Sequence, residues 1–154
     1  MAGRGMGERF GAAVVRAARA WVGTPYRHGA SAVGAGADCL GLIRGVWRAV
    51  YGREPEAAPP YGPDGDGWAE AAALRAALGR HADETPVETA VAGDVLLMRL
   101  GARGPAKHLA VLATDAGGAP TMIHAYSGVG VVESPLGETW ARRIVAAFRL
   151  REAR

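Results

Sequence analysis

The chain has 154 residues, is 49% hydrophobic and carries a formal net charge of +3, which suits one domain with a sizeable apolar core. Its basic residues are spread along the sequence without interleaved aromatic residues, which argues against a specific nucleic-acid surface. A single cysteine excludes an internal disulfide and a zinc site built from cysteines. No apolar stretch approaches the roughly 18 residues of a membrane span, and the N-terminal sequence lacks the apolar core of a signal peptide. We therefore expect a single domain over residues 1–154, made in the cytoplasm without a membrane span.

The first part of the chain predicts a helix followed by a loop. Apolar residues recur at helical spacing over residues 8–22, with arginines between them. Gly23 and Pro25 end this helix, and a glycine-rich loop covers residues 26–37.

The next helix begins at the only cysteine. Asp38 can cap it by accepting hydrogen bonds from the first N–H groups, and it runs to about Tyr51 before Gly52 ends it. Cys39 lies in the first turn, where backbone N–H groups and the helix dipole favour a thiolate. A thiolate is the reactive form of cysteine, so Cys39 is a candidate nucleophile.

A proline- and glycine-rich segment follows the second helix. Four prolines and several turn signals predict a surface excursion over residues 53–67, and an alanine-rich helix over residues 68–78 ends at Gly79. Residues 81–93 are expected to form a linker. The excursion and its helix are interpreted as an insertion in the same domain, at about residues 53–80.

The remaining sequence predicts about five antiparallel strands. Short apolar runs bounded by turn residues indicate strands at 94–100, 107–114, 120–126, 130–133 and 144–150. Helices early in the chain and strands late in it are typical of an α+β fold, with the helices on one face of an antiparallel sheet.

Two histidines lie in the predicted strands. If His108 pairs with His124, Thr114 pairs with Gly118, and both rings lie on one sheet face beneath Cys39. A two-residue turn formed by Gly117 and Gly118 would instead place the rings on opposite faces. A cysteine nucleophile needs a base, and the base needs a residue that orients it. Each residue also has a structural interpretation, because a lone cysteine is usually an inert small apolar side chain.

Five blocks of sequence resemble the NlpC/P60 family of cysteine peptidases. They occur in the family's order, and together they extend over most of residues 10–150. The blocks are GTPYRHG at 23–29, DCLGL at 38–42, AGDVL at 92–96, HLAV at 108–111 and MIHA at 122–125.

The resemblance implies a papain-like fold and a function in cutting peptidoglycan stem peptides, often between D-glutamate and a diamino acid. It implies that Cys39 is the nucleophile, His108 the general base and His124 the residue that orients the base. Tyr26 would line the site and help to stabilise the oxyanion. Asp38 would bind the free amine of the stem peptide.

Leu40 stands where the family usually has serine, which leaves the preferred peptide open. The block Asp38-Cys39-Leu40-Gly41 and the segment 53–67 resemble cell-wall peptidases made with phage tails and phage-like gene transfer agents. This resemblance implies tail-tip proteins as partners and a particle that carries the enzyme to the bacterial cell wall.

Two other functions fit the same residues. The chain could be a structural tail-tip component with an idle site, or a thiol amidase or acyltransferase of related fold. We expect no cofactor, and we do not expect a metal site formed by Cys39, His108 and His124.

Overall fold

The computed structural model describes residues 2–57 and 67–152, so most of the predicted excursion lies outside the described residues. Three helices come first, as expected from the apolar spacing. A fourth helix, which is short, precedes the last strand. The helices are α1 (Ala2–Arg19), α2 (Cys39–Tyr51), α3 (Gly67–His81) and α4 (Glu138–Ala141).

Six strands form one antiparallel sheet in the order β3-β8-β4-β5-β6-β7. Two further short strands, β1 (Ser31–Ala32) and β2 (Gly36–Ala37), pair within the glycine-rich loop. The sheet strands are β3 (Ala82–Thr85), β4 (Val95–Met98), β5 (His108–Thr114), β6 (Pro120–Tyr126), β7 (Gly130–Pro135) and β8 (Ile144–Leu150). This order confirms the α+β fold.

The prediction of about five strands is wrong by one edge strand. β3 lies in the predicted linker and pairs with β8, from Ala82 opposite Leu150 to Thr85 opposite Ala147. Its short sequence contains two charged residues and only Ala82 is buried, so the alternation that marks a strand is too weak to read. Charged residues are common on edge strands because they discourage pairing with another chain.

Three helix boundaries also differ from the predictions. α1 begins at Ala2 and ends at Arg19, and α3 continues through Gly79 to His81. A Cβ atom at Gly79 would have nothing within 4 Å, and an isolated glycine is tolerated inside a helix. The short helix α4, at residues 138–141, was not among the predicted elements.

The sheet is covered on both faces. On one face, α1 and α2 pack against the odd-numbered side chains of β4 and β5, including Leu97 and Val111. On the other, a smaller apolar cluster contains Leu96, Met98 and Leu112, with Trp140 against it. Burial on both faces explains why these strands read as continuous apolar runs. None of the helices in the described residues has the length and apolarity needed to cross a bilayer.

Two glycines allow α2 to approach its neighbours closely. A Cβ atom at Gly41 would overlap the carbonyl oxygen of Ala30, and one at Gly45 would overlap the ring of Trp21. The first turn of α2 therefore lies directly on the backbone of the glycine-rich loop. This contact fixes the position of the Cys39 backbone, from which the thiol projects.

Candidate active site

Asp38 joins the start of α2 to the glycine-rich loop. Its Oδ1 accepts a hydrogen bond from the N–H of Gly41 at 2.7 Å, and its Oδ2 accepts one from the N–H of Gly29 at 2.7 Å. The His28 Nδ1 lies 3.9 Å from the same Oδ2. The predicted helix cap is confirmed, and the buried carboxylate orders both elements that flank Cys39.

The thiol of Cys39 lies at the end of β5. It is half-buried, and its S–H donates to the carbonyl oxygen of Lys107 over 3.5 Å. The β5–β6 ladder runs from Thr114–Pro120 to Val111–Ile123 and ends there. The thiol therefore contacts the backbone where β5 begins, beyond the end of that ladder, at the residue that directly precedes His108 in the chain.

Burial decides the protonation of the thiol. The pKa of Cys39 is raised to about 11, mainly by desolvation and in smaller part by the Asp38 carboxylate. Hydrogen bonds from the backbone N–H groups of Leu109 and Leu40 lower it, but by less. The expectation that the helix start makes Cys39 a thiolate is wrong for the ligand-free chain, because loss of hydration outweighs the N–H groups.

His108 and His124 form a buried hydrogen-bonded pair. The distance between His108 Nε2 and His124 Nδ1 is 2.8 Å, and the two residues are 3% and 2% exposed. Their rings meet nearly edge to face, with centroids 5.0 Å apart and an interplanar angle of 80°. The sequence-based expectation that the two histidines meet is confirmed.

The register that brings them together differs from the predicted one. Thr114 pairs with Pro120 instead of Gly118, so the strands are shifted by two positions. The side chain of Asp115 stabilises the longer turn by accepting from the N–H groups of Gly117 and Ala119 at 2.9 Å each. Because side chains alternate with a period of two, this shift leaves both rings on one face.

That face is the one opposite to α2. Leu109 and Val111 occupy the positions of β5 that point toward the helices, whereas His108 and His124 contact Trp140 on the other side. The expectation that both rings lie on the sheet face beneath Cys39 is therefore wrong. The Cys39 thiol contacts the backbone at the start of β5 and does not lie over the face of the sheet that carries the two imidazoles.

Both imidazoles are neutral near pH 7. Burial lowers the pKa of His108 to about 3, with a smaller contribution from His124, and burial lowers the pKa of His124 to about 4. A neutral ring has one N–H and one acceptor nitrogen. If His108 Nε2–H donates to His124 Nδ1, then His108 Nδ1 carries a free lone pair. This tautomer is the one in which His108 can accept a proton.

An aromatic wall encloses the pair, and the sequence-based reasoning missed it. Trp140 stacks on His108 with centroids 6.0 Å apart and a 30° interplanar angle, and meets His124 edge to face at 5.4 Å. Tyr126 lies 5.7 Å from His124 and 5.8 Å from Trp140. Tyr126 is two residues after His124, so strand alternation was a usable signal for it. No local pattern marks Trp140, which comes from α4.

The family model described as NlpC/P60 matches residues 23–149. The chain belongs to the NlpC/P60 family. Members of this family are generally peptidoglycan hydrolases of the cysteine-peptidase type. A comparison with curated proteins finds no similar sequence.

The NlpC/P60 match includes every candidate residue, and the individual roles stay predictions. Tyr26 is half-buried and forms a bridge with Ala37, directly before Asp38. Burial is the main cause that raises the pKa of its phenol, and the negative charge of Asp38, and of Cys39 when it is a thiolate, adds to the rise. Tyr26 is therefore on the nucleophile side of this NlpC/P60 site. Leu40 packs against the larger apolar cluster.

Within residues 2–57 and 67–152, no three histidine, cysteine or acidic side chains are grouped so as to hold a metal ion.

Proposed function

We propose that this NlpC/P60 chain is a cysteine peptidase that hydrolyses peptidoglycan stem peptides. Cys39 is its nucleophile, His108 its general base and His124 the residue that orients the base. The 2.8 Å hydrogen bond between the histidines, next to the end of β5 that the Cys39 thiol contacts, is the observation that carries the proposal. The thiol and the histidine pair together provide the nucleophile, the base and the base's partner that the reaction needs.

Proton transfer accompanies attack in this proposal. Since the thiol and both imidazoles are neutral at rest, His108 Nδ1 takes the thiol proton as Sγ forms its bond to the carbonyl carbon of the peptide. The resulting imidazolium still donates from Nε2 to His124. It then gives its proton to the leaving amine as the C–N bond breaks and an acyl-enzyme remains. His108 next accepts a proton from water, whose oxygen attacks the thioester carbon. The C–S bond then breaks, Sγ takes the proton back from His108, and the product leaves as a carboxylic acid that ionises in solvent.

The oxyanion of the tetrahedral intermediate needs donors on the α2 side. The backbone N–H of Cys39 at the helix start is one candidate, and the phenol of Tyr26 is another. We also propose that Asp38 binds the free amine of the stem peptide. Its two carboxylate oxygens already accept backbone N–H groups, so an amine would share a lone pair left on those oxygens.

The bond cut is proposed to join D-glutamate to the diamino acid of the stem peptide. Digestion of defined muropeptides, followed by product mass determination, tests this directly. An amidase or an acyltransferase would use the same cysteine and histidines, but its products would differ in mass from those of the endopeptidase.

Replacing Cys39 by alanine tests the proposal as a whole. We expect Cys39→Ala to release no fragments from purified cell-wall sacculi while keeping the Tm of the wild type, because the side chain is small and half-buried. An active Cys39→Ala protein would contradict the mechanism. A wild-type protein that releases nothing would favour the structural tail-tip alternative.

Delivery by a phage-like particle is the last part of the proposal. It is supported by the resemblance of the Asp38–Gly41 block and the segment 53–67 to tail-associated peptidases. We expect the protein to copurify with tail-tip proteins in particles from the producing bacterium, as detected by mass spectrometry. Particles that lack it would contradict this assignment.

A further inference from the structure

Trp140 is the one aromatic side chain of the described residues that contacts both histidines from outside β5 and β6. It stacks on His108 at 6.0 Å and meets His124 at 5.4 Å, and it also contacts Tyr126. These contacts cover the pair on the sheet face opposite to α2. Trp140 takes no part in the proton transfers proposed for Cys39 and His108.

We infer that Trp140 is a positioning residue, which holds the ring of His108 in its catalytic orientation and keeps water from the His108–His124 hydrogen bond. The inference rests on the proposed function for its catalytic meaning. Its geometric basis is the stacked contact, because a near-parallel indole restricts rotation of the imidazole about its Cβ–Cγ bond.

The position of Trp140 is itself secured from β4 and its following loop. The guanidinium of Arg143 lies over the indole, with Cζ 5.2 Å from the ring centroid, and donates to the carbonyl oxygen of Leu100 at 2.6 Å. The N–H of Arg143 donates to the Trp140 carbonyl oxygen, and Arg99 N–H donates to the Arg143 carbonyl oxygen, both at 2.9 Å. A cation over an indole adds attraction that favours this arrangement.

Exclusion of water has a chemical consequence for the base. The titratable rings in contact with His108 are those of its neighbours on β6, His124 and Tyr126. Directly before His108 in the chain, Lys107 is ion-paired with Glu70, and its carbonyl oxygen accepts from the Cys39 thiol. Arg143 lies beyond Trp140. In this setting, burial keeps His108 neutral and its pKa low. Admission of water would stabilise the imidazolium and raise that pKa toward the ordinary value of about 6.5.

Two substitutions at Trp140 and one matched control test the inference. Trp140→Leu removes the indole, Trp140→Phe keeps an aromatic face, and Trp68→Leu removes an indole that is 65% exposed on α3. The measurements are kcat and KM against pH with a defined stem peptide, and the imidazole titration of each protein by NMR. We expect Trp140→Leu to lower kcat roughly tenfold with KM nearly unchanged.

The same variant should move the acid limb of kcat/KM, and the imidazole titration, to higher pH. Trp140→Phe should restore most of both, and Trp68→Leu should match the wild type. A loss of activity in Trp140→Leu with unchanged imidazole titration would overturn the inference, as would wild-type behaviour in both measurements. If the wild-type protein cleaves no stem peptide, the proposed function fails, and the NMR titration alone decides whether Trp140 controls the histidine pair.

Discussion

The nucleophile and the base of this site are held in different ways. Cys39 is placed by near neighbours in the chain, since Asp38 caps its helix and also binds Gly29, and Gly41 lets the helix rest on the loop. His108 is placed by residues far apart in sequence. It depends on β6 for its hydrogen bond to His124 and on α4 for the stacked ring of Trp140.

This difference separates two kinds of failure. A change among the near neighbours that place Cys39 is expected to move the start of α2, and with it the thiol. A change in the elements that place His108, β6 and α4, is expected to alter the orientation and hydration of the imidazoles. Burial on both sides favours the neutral form of each group, because it raises the pKa of Cys39 and lowers that of His108.

Among changes that leave the Cys39 thiol in place, the largest effect is expected from the residues that position and supply the base. His108→Ala should lower kcat/KM by about a thousandfold or more, because the proton acceptor is lost. His124→Ala should cost about ten- to a hundredfold, because it removes only the partner of His108 Nε2. Steady-state kinetics with a defined stem peptide measure both. Equal losses in the two variants would contradict the assigned roles.

Alkylation of Cys39 sharpens the comparison on the nucleophile side. Because the pKa of Cys39 is raised to about 11, its thiolate fraction should grow about tenfold per pH unit below that value. The rate of reaction with iodoacetamide should therefore rise about a hundredfold between pH 7 and pH 9. The rate is followed by intact mass, with Cys39→Ser as the unlabelled control. A plateau below pH 7 would instead indicate a thiolate paired with an imidazolium at rest.

The smallest effect concerns the helix cap. Asp38→Ala should lower the free energy of unfolding by about 1–2 kcal/mol, because two backbone N–H groups lose their acceptor. Urea denaturation measures this change. Asp38→Asn is the matched control, since its side-chain oxygen still accepts from one N–H group, and it should retain much of the stability.

The asparagine variant also separates capping from substrate binding. If the Asp38 carboxylate binds the stem-peptide amine, Asp38→Asn should raise KM while the protein stays folded. An unchanged KM would restrict Asp38 to its structural role.

The sequence indicated the parts of the fold that depend on short-range pattern. The cap at Asp38, the span of α2 up to Gly52, and the strands that carry His108 and His124 all follow from spacing and turn chemistry within a few residues. The strand β3 was not predicted, because a short edge strand with two charged residues shows little alternation of apolar and polar residues. The predicted β5–β6 register was wrong, because Asp115 stabilises a longer turn than the glycines suggest.

The sequence by itself therefore determined the family and the α+β order, since both follow from local pattern. The predicted shared face of the two histidines was correct although the register differs by two positions, because side chains alternate with a period of two. Only the tertiary structure decided which face that is, and only it placed Trp140 against the pair. It also decided the neutral state of Cys39, against the expectation from its helix start. Hydration and stacking depend on elements that are distant in the chain, so no spacing around Cys39 or His108 encodes them.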